Sequence, residues 1–120
     1  MTERHNPRAW VEDILAAIAN IEADTDGLDF GRFAADRRIR QLVERNVEII
    51  SEASRRLPED VKVTEPEIPW REIAGIGNIL RHDYGIVRPD ILWGIRTGRL
   101  TALKQAMLRL REKLDSEYPG

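Results

Sequence analysis

In every long segment of this chain apolar residues recur at intervals of three and four, and the two-residue alternation of a half-buried strand is almost absent. That period belongs to helices, so it restricts the fold to helix packed on helix. The first stripe, Trp10, Ile14, Ala17 and Ile21, follows Pro7, whose fixed φ suits a first helical turn. Asp24-Thr25-Asp26-Gly27 breaks it, and Asp29 is placed to cap a short helix holding Phe30, Phe33 and Ala34. A long helix from about Asp36 to Leu57 then aligns Ile39, Val43, Asn46, Ile50, Ala53 and Leu57, and Pro58 stops it. Residues 58–69 contain three of the six prolines and read as a rigid connector, the brief Val61-Lys62-Val63 alternation included. Trp70 to about Tyr84 forms the next helix, with Gly85 at the left-handed C-terminal position. Pro89 opens a further helix with Ile91, Leu92, Trp93 and Ile95, and Gly98 separates it from a last one. In that last helix Leu100, Leu103, Met107, Leu110 and Leu114 form a seam that lies along neighbouring helices. The expectation is an all-α, antiparallel helical bundle with short connections.

At 120 residues the chain suits one domain, 1–120, around one core. Its lack of cysteine removes disulfides, thiolate metal sites and cysteine nucleophiles together. The polar opening Met1 to Asn6 does not read as a secretory signal and no apolar run reaches membrane-spanning length, so a soluble, cytoplasmic protein with no membrane contact is expected. A net charge of −2 gives no global attraction for a polyanion, so any nucleic-acid contact must be local. Arginine dominates the cations, with lysine only at Lys62, Lys104 and Lys113. A planar guanidinium suits bidentate phosphate contacts, although a compositional bias explains the excess equally well. The clusters Arg37-Arg38-Arg40 and Arg55-Arg56 could guide a phosphate backbone or simply be solvated helix faces.

The chemistry concentrates in Gly77-Asn78-Ile79-Leu80-Arg81-His82-Asp83-Tyr84, which places a histidine beside an arginine, an asparagine, an aspartate and a tyrosine and points to phosphodiester chemistry. Four-residue spacing puts Asn78 and His82 on one helical stripe with Gly75 and, farther along, Arg71, while Arg81 and Tyr84 share a neighbouring one. Gly75 and Gly77 each cost about 1 kcal/mol relative to alanine inside a helix. Close approach of a second helix, from this chain or from a symmetry mate, is the expected compensation on the face bearing Gly75, Asn78 and His82. His82 suits a general acid or base because imidazole titrates near neutrality, or it is a hydrogen-bonded core or interface histidine. Asn46 interrupts the apolar stripe of the long helix, so it is either a register-fixing amide between helices or a second polar wall of the His82 site. His5 lies in the polar N-terminal tail, and two such histidines without cysteine do not supply the ligand set of a zinc site; neither metal nor cofactor is expected.

Three blocks in order, Arg45 to Ala53, Pro66 to Gly75 and Asn78 to Tyr84, closely resemble the HepT-like toxins of the HEPN superfamily, and the likeness extends to the opening helix and to Asp90-Ile91-Leu92-Trp93. The resemblance implies a HEPN-like homodimer whose motif helices face each other across a cleft that cuts RNA without a metal ion. It also implies a small nucleotidyltransferase antitoxin as partner. The family signature is an arginine, four residues, a histidine, one residue and a tyrosine. His82 and Tyr84 match it, whereas Gly77 stands where the arginine would be. On this reading the catalytic residues are His82, Asn78 and Arg81, Arg81 replacing the missing arginine, while Asn46 and Asp83 support them. Tyr84 is implied as the residue to which the antitoxin transfers adenylate, a bulky anion that would block the cleft. Two other readings stay open: a catalytically silent subunit that docks the nucleotidyltransferase and is its substrate, favoured by Gly77, and a plain dimeric helical scaffold.

Overall fold

The structure, a computed structural model, describes residues 6–82 and 88–117, and of Ile79, Arg81 and His82 it describes the backbone alone. Seven helices account for the regular structure of the described residues: α1 (Pro7–Asp24), α2 (Phe30–Ala35), α3 (Arg37–Arg56), α4 (Glu59–Lys62), α5 (Trp70–His82), α6 (Pro89–Gly98) and α7 (Leu100–Glu117). The bundle is all-α, as the three-and-four periodicity predicts. α3 is its centre, packed against α1 on one side and α5 on the other, while α7 lies along α1 and the short α2 and α6 cover the remaining flank. Among the described residues no helix is long and apolar enough to cross a membrane.

The boundaries follow from capping chemistry. The Asn6 side chain accepts from the Arg8 N–H at 3.0 Å, Asp29 from Arg32 at 2.8 Å and Asp36 from Ile39 at 3.1 Å, each satisfying an orphan donor of a first turn. Gly27 takes a φ of +75° in the turn after α1, a left-handed conformation that glycine adopts without a Cβ penalty. The segment read as a plain connector is partly helical. Glu59–Lys62 completes one turn because Pro58 starts it and the carbonyls of Pro58 and Glu59 accept from Lys62 and Val63. The alternation at Val61-Lys62-Val63 is therefore part of a helical turn, not a strand.

The apolar stripe of α7 is buried at all five expected positions, Leu100, Leu103, Met107, Leu110 and Leu114. In α1 the buried face is wider than the expected stripe: Val11 and Ile18 join Ile14, Ala17 and Ile21 in the core, while Trp10 packs half-buried against it with the Arg56 guanidinium 5.7 Å from its ring centroid. Cation–π contact of this kind ties the N-terminus of α1 to the C-terminus of α3.

The connector is anchored by charge. Glu65, only 5% exposed, receives two guanidinium nitrogens of Arg109 at 2.7–3.2 Å and Lys113 at 3.4 Å, and Trp70 Nε1 donates to the carbonyls of Lys62 and Glu65 at 3.1 Å each. Hydrogen bonds from Arg109 hold the Glu65 carboxyl below the usual carboxylate range, against the opposing effect of burial. A depressed folded value makes this stabilisation fully present above the unfolded pKa of about 4.3 and lost as pH falls through the folded one. Thermal unfolding from pH 7 downward is expected to show a steeper loss of Tm below about pH 4.3 in the wild type than in Glu65→Gln; parallel curves would remove Glu65 from the acid response.

Two serines on α3 have opposite energetic signs. Ser51 is fully engaged, as described below, whereas the buried Oγ of Ser54 has no hydrogen-bond partner among the described residues. An unsatisfied buried hydroxyl costs more than an apolar replacement, and a satisfied one contributes about 1 kcal/mol. Chemical denaturation should therefore find Ser51→Ala destabilised by about 1 kcal/mol and Ser54→Ala unchanged or more stable.

Candidate functional site

The motif helix α5 is held to α3 through its backbone. Ser51 Oγ donates to the Ala74 carbonyl at 2.9 Å and accepts from the Gly77 N–H at 3.1 Å, so one hydroxyl bridges two points on the neighbouring helix. Such a bridge needs close axes, and Gly77, buried and without a Cβ, allows them. The position where the signature calls for an arginine is thus a packing point in this chain.

The other side of α5 is open. A Cβ added at Gly75 would meet nothing within 4 Å, and Asn78 and Arg71 are exposed. Among the described residues no helix packs closely on Gly75 and Asn78; the packed side is the one carrying Ile73, Gly77 and Leu80. The two glycines, assigned one role in sequence, differ: Gly77 serves the α3 contact, while half-buried Gly75 has room for a side chain.

Helical spacing also separates the two residues proposed to share the chemistry. Position 82 follows Asn78 by four and shares its stripe, while position 81 follows Gly77 by four and shares that neighbouring one. Asp83 and Tyr84 lie outside the described residues.

The Ser51 bridge sets the register between α3 and α5. Seven residues before Ser51 on the same face of α3 is Glu44, and seven beyond the Ala74–Gly77 contact is the end of α5, so Glu44 is level with the C-terminus of the motif helix. Glu44 is partly buried, and its carboxyl is pushed up by burial first and by the charge of Glu48 second. Sequence reasoning did not single it out; its seven-residue spacing from Ser51 is the available signal, and it acquires meaning only with the α3–α5 register. Asn46 is buried, donates through Nδ2 to the Leu42 carbonyl at 2.8 Å and accepts from Asn20 Nδ2 at 3.2 Å. Its bonds thus link α3 to α1 and fix their relative register.

The basic clusters divide. Arg55 and Arg56 both pair with Glu52 on their own helix, whereas Arg37 and Arg38 are exposed without an ion pair among the described residues. An apolar recess of about 150 Å³ lies at the other half of α5, lined by Val47, Ile50, Ile73, Ile76, Ile95 and Leu103 and edged by the Arg99–Glu72 ion pair at 2.6 Å. Its lining is otherwise almost wholly apolar, with Glu67 as a further charged residue at the edge.

The sequence model of the family described as ribonuclease HepT-like matches residues 14–110, from α1 to the middle of α7. The chain belongs to the HepT-like ribonuclease family. It is 37% identical over 109 residues to a protein of Thermococcus cleftensis named "Probable ribonuclease HepT", covering 91% of this chain and 99% of that one. A Methanocaldococcus jannaschii protein named as a putative RNase is 35% identical over 92 residues, 77% of this chain and 84% of its own length. A third, with the same kind of name, from Caldanaerobacter subterraneus, is 29% identical over 107 residues, 89% of this chain and 96% of its own length. No solved structure matches. The matched span of the HepT-like family contains both the Ser51 bridge and the whole of α5.

Proposed function

We propose that this chain is the toxin component of a toxin–antitoxin pair: a metal-independent RNA endonuclease that acts as a homodimer and is silenced by adenylylation of Tyr84. The observation that carries the reading is the open stripe of α5, Arg71, Gly75, Asn78 and position 82, on a chain of the HepT-like ribonuclease family. A helix that leaves its small and polar side bare while its other side is clamped to α3 is suited to meet a second copy across a two-fold axis.

In the proposed reaction a ribose 2′-oxygen attacks the adjacent phosphorus, its proton passes to a general base, and the 5′-oxygen leaves with a proton from a general acid. This yields a 2′,3′-cyclic phosphate and a 5′-hydroxyl. Two His82 residues, one from each copy, supply base and acid. Asn78 holds a phosphate oxygen, and Arg81, on the neighbouring stripe, serves the cleft from the opposite copy and supplies the charge that Gly77 lacks. Asn46 and Asp83 have supporting roles. Adenylate on Tyr84, two residues from His82, would exclude RNA by volume and negative charge.

The test is cleavage of single-stranded RNA in EDTA by the purified protein, by Arg81→Ala and by His82→Ala. The reading expects activity in the wild type and loss in both variants, and is lost if both variants cut normally. Mass spectrometry of the Tyr84 peptide after co-expression with a neighbouring nucleotidyltransferase is expected to show an added adenylate; an unmodified peptide removes the silencing step.

A second reading has its own observation. Gly77 is a buried packing point rather than a surface position from which an arginine has been lost, so this chain's α3–α5 contact is built around the glycine. That favours a silent subunit whose role is to dock the nucleotidyltransferase and accept adenylate. Co-purification of the two proteins without RNA cleavage by the dimer would select it.

A further inference from the structure

We infer that Phe30 and Trp93, with Arg32, Arg37 and Arg38 around them, form a base-stacking platform for single-stranded RNA beyond the cleft, an inference that rests on the ribonuclease reading. Trp93 lies between two phenylalanines: the fully buried Phe33, with ring centroids 5.1 Å apart at 36°, and Phe30, at 6.4 Å and 60°. Phe33 secures the stack from the core side. Phe30 is 42% exposed, so it adds little to the core while presenting a ring pinned along one edge. A rigid, half-bared aromatic binds a nucleobase with little entropy to lose.

The charge around this ring suits a polyanion. Arg32, Arg37 and Arg38 are exposed, and their guanidinium groups make no ion pair among the described residues. The carboxylates nearest in sequence, Asp29 and Asp36, face the helix N-termini they cap, accepting from Arg32 N at 2.8 Å and Ile39 N at 3.1 Å. α2 is six residues long, about 9 Å, so the backbone positions of the three arginines lie within one short helix and its turn of Phe30, Arg32 on another side of α2. Three arginines against the two capping carboxylates leave a local excess of positive charge on a chain of net charge −2. A protein partner is a poorer fit, because the cores of protein interfaces are depleted in charge and this aromatic patch is small and ringed by it.

Register places the platform at the reactive end. Glu44 is level with the end of α5, and the α2–α3 corner at Asp36 lies eight residues farther along α3, about 12 Å. Measured along α3, the α2–α3 corner and the end of α5 thus lie at the same end of the bundle, an axial separation that a few nucleotides span.

The test uses the full-length chain carrying His82→Ala, so that RNA is bound and not cut, and a short fluorescein-labelled oligoadenylate read by fluorescence anisotropy. Adding Phe30→Leu, which keeps apolar bulk at the edge of the core, is expected to weaken binding about five- to a hundred-fold, whereas Phe30→Trp retains it. Adding Arg37→Ala and Arg38→Ala is expected to reduce the slope of log affinity against log salt by about 1.4. Binding within two-fold of the parent in Phe30→Leu, together with an unchanged salt slope in the arginine variant, overturns the platform, and wild-type cleavage of RNA would then leave the ribonuclease reading standing. Absence of both binding and wild-type cleavage overturns the two together. Unchanged RNA binding with a shift in sedimentation mass in Phe30→Leu reassigns the patch to protein contact. Should Phe30→Leu fail to fold, the Phe30→Trp and arginine measurements still decide.

Discussion

RNA cleavage by His82→Ala is expected to fall about 100- to 10,000-fold below wild type, the range associated with loss of a positioned proton donor or acceptor. The effect belongs at the upper end here. In the proposed cleft Arg81 supplies charge, but no group other than His82 moves the protons, so loss of the imidazole is not compensated. Position 82 shares the open stripe with Gly75, whose missing Cβ would meet nothing within 4 Å, and with exposed Asn78, so the substitution is expected to leave Tm unchanged. Gel-resolved cleavage with matched thermal melts separates lost chemistry from lost fold. Undiminished cutting in His82→Ala would sink the catalytic assignment of this histidine. In a two-fold cleft, dimers with one wild-type and one His82→Ala copy should also lose most activity, because one imidazole would then have to serve as both base and acid.

Phe33→Ala is expected to destabilise the protein by about 3–5 kcal/mol and to lower Tm by on the order of 10–20 °C. α2 is six residues long, too short to hold itself together as an isolated helix, so its order comes from tertiary burial. Phe33 has 0% exposure and stacks on Trp93, which makes it the link between α2 and α6. Its removal leaves a cavity that a one-and-a-half-turn helix cannot fill without losing its Asp29 cap. Phe30, three residues earlier in the same helix, is the control: 42% exposed, it should cost far less when truncated. Similar losses at both positions would show that α2 is not anchored as described.

The seven-helix order was largely readable because helix faces are written in residue spacing. The α7 stripe from Leu100 to Leu114 is buried at all five positions, and Asp29 caps α2 as its position suggested. Errors came where a short segment had too few residues for a period to show. Val61-Lys62-Val63 resembled an alternation and is part of the α4 turn. Trp10 matched the α1 spacing, yet Val11 takes the core place while the larger indole lies at the rim under Arg56.

What the sequence determined by itself is the helical class, the Asp29 cap and the placing of His82 and Tyr84 in one motif, since all of these depend on residue type and on local spacings. Only the tertiary structure decided which face of α5 is clamped and which is bare, that Gly77 serves a backbone contact to Ser51, and that Asn46 pairs with Asn20. Those facts depend on the register between helices far apart in the chain. That register is set by long-range packing, and no local pattern of residues encodes it.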